Sequence, residues 1–138
     1  MPRRAVTLIA LPSLVLAIGL LAAGGPAGAQ QKAEIQRKTV LQQDLPIAGY
    51  LMVVNSVDIP AGVSEVKHTH TGGLGVYVEV GTMVLEHEGR PATTYKAGEA
   101  FYVEAGKVHW AINNSNAPVR LIATQIVEKG KPMSTPAP

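Results

Sequence analysis

The chain has 138 residues, twelve Lys and Arg against ten Asp and Glu, and no cysteine. That length suits one domain, and the missing cysteines exclude disulfides, thiolate nucleophiles and cysteine-type zinc sites together. The formal charge of +2 falls to zero once Arg3 and Arg4 are set aside, and no Lys/Arg cluster remains to suggest nucleic acid or an anionic membrane surface.

Met1-Pro2-Arg3-Arg4 makes a positive start, Ala5 to Ala23 is an almost unbroken apolar run, and Ala27-Gly28-Ala29 supplies the small residues of a cleavage site. This is the pattern of a secretory signal peptide. The run approaches the ~20 residues that span a bilayer, but Pro12, Gly19 and the small residues at its end favour cleavage over an uncleaved anchor. Residues 1–29 are therefore expected to be removed, leaving Gln30 to Pro138 as an exported protein, periplasmic or secreted, with no membrane association after cleavage. Its partner is expected to be a small molecule or a second copy of the chain. Without disulfides such a domain depends on its core, assisted by metal or dimerisation.

Beyond the polar lead from Gln30 to Arg37, short β-rich runs recur at the spacing of an all-β barrel or sandwich. The expected strands are Lys38–Gln43, Tyr50–Ile59, Val63–Thr69, Leu74–Val80, Thr82–Glu88, Thr93–Lys96, Ala100–Val103, His109–Ile112 and Val119–Val127. Between them lie breakers whose glycines and asparagines tolerate positive φ and whose prolines preset the backbone: Pro60-Ala61-Gly62, Thr71-Gly72-Gly73, Gly81, Glu88-Gly89-Arg90-Pro91, Gly98, Gly106 and Asn113 to Pro118. No segment after the signal peptide sustains a 3.6-residue apolar period. The organisation expected is an N-terminal extension or strand at residues 30–45, one β-barrel at 46–131 and a loose Pro-rich tail at 132–138.

The histidines carry the chemistry. His68 and His70 are two apart, so on a strand their imidazoles share a face. His109 follows after several strands, and closing those strands into a barrel would bring it to face the pair. Neutral imidazole is the commonest protein ligand for zinc, copper, nickel and iron. The fourth histidine, His87, sits before the turn at Glu88 and reads better as a half-exposed hairpin residue.

At these positions the chain resembles the cupin superfamily, small β-barrels with the motifs G-x5-H-x-H-x3-E-x6-G and G-x5-P-x-G-x2-H-x3-N. Gly62, His68, His70 and Gly81 fill the first motif, and Gly98, Gly106, His109 and Asn113 fill the second. Two positions depart: Leu74 stands for the glutamate that is the usual fourth metal ligand, and Glu104 for the proline. The resemblance, covering roughly Pro46 to Lys131, implies a double-stranded β-helix (jelly roll), a homodimer and a divalent ion, iron, zinc, manganese, nickel or copper, held by His68, His70 and His109. It also implies a function: oxygen-dependent dioxygenation, Lewis-acid lyase or isomerase chemistry, or non-catalytic capture of a small molecule or metal. Three neutral imidazoles leave a divalent ion its full charge, so an anionic ligand is expected at a position left open beside Leu74. Glu79 is a weak replacement for the absent glutamate, because strand alternation turns it away. Glu104 reads as a solvated loop charge. Tyr50, Met52, Tyr77, Phe101, Tyr102, Trp110 and Gln125 are possible pocket residues, and Tyr77, Gln125 and His87 are the candidate general bases, none of them outstanding.

Overall fold

A computed structural model describes residues 33–138, so the expected signal peptide lies outside the described residues. Ten strands follow one another: β1 (Gln36–Asp44), β2 (Tyr50–Ile59), β3 (His68–His70), β4 (Leu74–Val80), β5 (Thr82–His87), β6 (Arg90–Lys96), β7 (Ala100–Val103), β8 (His109–Ile112), β9 (Val119–Glu128) and β10 (Ser134–Pro136). They build two five-stranded antiparallel sheets. One, sheet A, has the order β1-β2-β9-β4-β7, and the other, sheet B, has β10-β3-β8-β5-β6. Among the described residues no ladder joins the two sheets, which pack as two layers around a shared core.

Alternation along each strand decides what fills the space between them. Val53, Val57 and Ile59 of β2, Leu74, Val76 and Val78 of β4, and Leu121, Ala123 and Val127 of β9 turn inward from sheet A. Met83 and Leu85 of β5 and Ala111 of β8 turn inward from sheet B, and all of these except Val53 and Val127 pack into one core. Each larger aliphatic side chain so buried stabilises the fold by roughly 1.5–3 kcal/mol.

The motif glycines are turn residues. Gly81 carries the chain from β4 of sheet A to β5 of sheet B at φ 86°, and a Cβ there would lie 2.7 Å from the Pro118 carbonyl oxygen. The motif asparagine is equally structural. Buried Asn113 donates from its amide to the carbonyls of Ile59 (2.9 Å), Pro60 (3.1 Å) and Ala117 (2.8 Å), tying the end of β2 to the loop after β8.

Three expected elements differ. The strand expected over Val63–Thr69 is regular only at His68–His70; before it, Ser64 makes a lone bridge to Ile112. The segment bends away from the ladder after the Gly62 turn, and Val66 is left 74% exposed. The tail expected to be loose instead adds β10 to the edge of sheet B, pairing Ser134 with His70, Thr135 with Thr69 and Pro136 with His68. Edge strands accept proline because one side of the strand needs no donor. The hairpin between β5 and β6 is also tighter than expected, with His87 paired to Arg90 across Glu88 and Gly89.

Candidate metal centre

Sheet B brings three histidines together. His68 on β3 is paired directly with His109 on β8, which places their rings on one face 4.4 Å apart, centroid to centroid. His70, two residues along β3, lies 4.9 Å from His68 and 5.1 Å from His109. One ring nitrogen from each lies within 4.8 Å of the others.

Backbone carbonyls determine which nitrogens these are. Nδ1 of His68 lies 2.9 Å from the Val66 oxygen, Nδ1 of His70 2.9 Å from the Met133 oxygen, and Nδ1 of His109 3.0 Å from the Lys107 oxygen. A carbonyl can only accept, so each Nδ1 carries the proton and donates, and each neutral ring presents an unprotonated Nε2 to the cluster. Nε2 of His70 is buried and has no protein partner. Three lone pairs converging without a proton are satisfied by a cation, and the donor set suits a divalent transition metal. The surroundings favour the neutral rings. Burial lowers the pKa of His109 from 6.5 to about 4, overriding the opposite effect of its bond to Lys107. Burial also lowers that of His70, opposed by its bond to Met133.

His87 extends the row across the sheet, since it pairs with His109 from β5, but its ring centroid is 6.0 Å from that of His109 and it does not join the cluster. Burial and the nearby Arg90 guanidinium lower its pKa.

The rings face a cavity of about 130 Å³ walled largely by aliphatic side chains of both sheets and by Phe101. Leu74 is part of that wall and 8% exposed, so the position expected to lack a carboxylate is apolar and lines the same cavity as the histidines. Its register partner Gln125 also lines the cavity, with its amide nitrogen donating to Gly72 (3.3 Å) and Met133 (3.1 Å). Glu79 is no substitute ligand: it is exposed at a register shift in β4 and lies near Arg120 outside the cavity. Glu104 pairs with Arg90 at 2.9 Å on the surface. Of the aromatic candidates only Phe101 lines the cavity; Tyr50, Tyr77 and Tyr102 are exposed and Trp110 packs under the Lys67 ammonium.

The structure adds four polar residues that the strand reading did not bring to the site: Arg37, Asn55, Glu65 and Ser134. Regular alternation from His68 turns Glu65 outward. The break in pairing after Ser64 reverses that parity, and the carboxylate points in, accepting from the Ala111 N–H at 3.2 Å and from the Arg37 guanidinium. Only the Gly62 turn hinted at such a break.

Residues 55–125 match the family described as the cupin domain. An uncharacterized conserved protein with a double-stranded β-helix domain from Klebsiella pneumoniae superposes with a TM-score of 0.61 at 21% identity, over 78% of this chain and 87% of the other. DMSP lyase DddQ from Ruegeria pomeroyi gives a TM-score of 0.65 at 15% identity, over 83% of this chain and 57% of the lyase. KdgF from Halomonas gives 0.54 at 22%, over 66% and 77%. No curated protein matches the chain. At these identities the structural likenesses show the fold, and function does not follow from fold. The match over residues 55–125, reinforced by the glycine, histidine and asparagine positions of both motifs, places the chain in the cupin domain family.

Proposed function

We propose that the protein is an exported metal-binding cupin whose His68, His70 and His109 hold one divalent ion and handle a small anionic ligand. The observation that supports this is the set of three Nε2 atoms facing one another in a cavity, with every tautomer set by a backbone carbonyl. A divalent ion there would supply Lewis-acid or, with iron, redox chemistry. The chain's own part is to orient three neutral rings, to keep water scarce with the aliphatic wall, and to leave the side beside Leu74 open. Dioxygenase, lyase and isomerase chemistry all fit this arrangement, and a DMSP lyase shares its fold. A second reading, non-catalytic capture of a small molecule or metal, is favoured by Leu74 in the place of a fourth ligand.

Elemental analysis of untagged protein from the exported fraction tests the metal: one equivalent supports the reading, and an empty protein sinks it. Oxygen uptake and a turnover screen of small acids then separate catalysis from capture. Leu74→Glu adds a carboxylate to the open side. The metal-free variant should melt several degrees below the wild type, because an unpaired carboxylate is desolvated there, and the loaded variant should recover. Equal melting in both states would mean that Leu74 does not border the ion. Export predicts Gln30 as the first residue by mass spectrometry; an intact Met1 form held in the membrane would refute it. A homodimer is part of the same proposal, and exposed Val40 and Leu41 on the edge strand β1 offer apolar surface to a second copy. Sedimentation velocity decides it.

A further inference from the structure

We propose that Arg37 and Glu65 form the substrate-handling end of this cavity: Arg37 anchors the carboxylate of a small oxo or hydroxy acid, and Glu65 accepts a proton from the atom beside the substrate's carbonyl or from its hydroxyl. The inference rests on the small-anion reading above and adds the substrate class and the proton acceptor.

Glu65 is a charged side chain only 11% exposed, and it faces a largely apolar cavity. It is held at both oxygens, Oε1 by Arg37 and Oε2 by the N–H of Ala111. Ala111 is the next inward position on β8 after His109, so the carboxylate sits one step along the same face from the histidine cluster. Arg37 enters from the edge strand β1 and is 52% exposed. It uses Nη2 on Glu65, and among the described residues its Nε and Nη1 bond no protein group. A guanidinium has five N–H donors and grips carboxylates through two at once, so it can hold a second carboxylate beside the first. Asn55 accepts the Thr39 hydroxyl at 2.8 Å through Oδ1, which leaves its amide N–H groups for the cavity it lines.

Size limits the acid. A cavity of about 130 Å³ falls well below the roughly 300–1,000 Å³ of sites that take drug-sized ligands, so it suits a small acid. The proton transfer balances without an oxidant: the C–H or O–H bond of the acid breaks, its electron pair stays on the substrate as an enolate or alkoxide, and an O–H bond forms on Glu65.

Pyruvate is a suitable probe, with its methyl ester as the control lacking a carboxylate. In an NMR titration of protein stripped of metal with EDTA, pyruvate should bind the wild type and the ester should not. Arg37→Ala should weaken binding at least tenfold. Arg37→Lys, which keeps the charge facing Glu65 but loses the fork, should weaken it several-fold. In D2O the metal-supplemented wild type should speed exchange of the pyruvate methyl protons. Glu65→Gln should slow that exchange at least a hundredfold while binding pyruvate within threefold of the wild type. The proposal is overturned if the wild type fails to bind pyruvate, if Arg37→Ala binds it equally, or if Glu65→Gln exchanges at the wild-type rate. Arg37-dependent binding in a protein that never holds metal would remove the metal reading alone, and stoichiometric metal with Arg37-independent binding would remove this one alone.

Discussion

The two sheets are held together differently. In sheet A, β2 and β9 run side by side for ten uninterrupted pairs, from Tyr50 opposite Glu128 to Ile59 opposite Val119. In sheet B, the ligand-bearing strands β3 and β8 meet in a single pair, His68 opposite His109. A long ladder with aliphatic residues at alternate positions provides stability whatever the site contains. The short strands provide little of their own, and their side chains are aimed by hydrogen bonds from imidazoles to carbonyls. Stability and the geometry of the histidine cluster therefore reside in different residues, and substitutions should separate them.

The largest expected effect falls on sheet B. His68→Ala, His70→Ala and His109→Ala should each lower metal affinity more than a hundredfold and so abolish stoichiometric metal by elemental analysis, while His87→Ala keeps it. Full metal in any of the first three would dissolve the contrast between the sheets. On sheet A, Ile59 is completely buried, and Ile59→Ala should cost about 3 kcal/mol in urea unfolding. Its metal-to-protein ratio should remain that of the wild type; a parallel loss of metal would show that the sheets are coupled after all.

Acid should discriminate next. The pKa of His109 is about 4 in the fold against 6.5 ordinarily, so between those values the unfolded chain binds more protons. The metal-free protein should be fully stable above about pH 6.5 and lose roughly 2–3 kcal/mol as pH falls toward 4, with His70 acting in the same direction. His109→Ala should flatten that slope in urea titrations at successive pH values. The smallest effect concerns β10. Ending the chain after Lys131 removes the Met133 carbonyl that orients His70 and should weaken metal binding about tenfold, read by competition with a chelator, with most of the unfolding free energy retained.

What could be read from residues alone follows the same division. Strands with regular alternation, β2, β4 and β9 above all, are visible because burial on one face imposes a period of two. The histidine trio is visible because fixed motif spacing carries over from one family member to the next. Glu65 was hidden because its orientation depends on a break in pairing after Ser64, and alternation arguments assume no break. The tail strand was hidden because Pro132 and Pro136 signal an irregular coil, whereas an edge position costs proline nothing. The vacancy left by Leu74 was legible, but the further polar residues of the cavity come from β1, from β2, from β10 and from Glu65, an x position within the first motif whose orientation the motif does not specify.

The bond from His70 to the Met133 carbonyl spans 63 residues of chain. Closing so large a loop costs more entropy than forming the hairpins β1–β2 and β5–β6, whose partners are near neighbours in sequence. Refolding should therefore produce strand signal first and a zinc-competent protein later, a lag that stopped-flow mixing with a zinc indicator would time. On the proposed reading, an ion would meet a nearly finished fold and act as its last fastener and not as its nucleus.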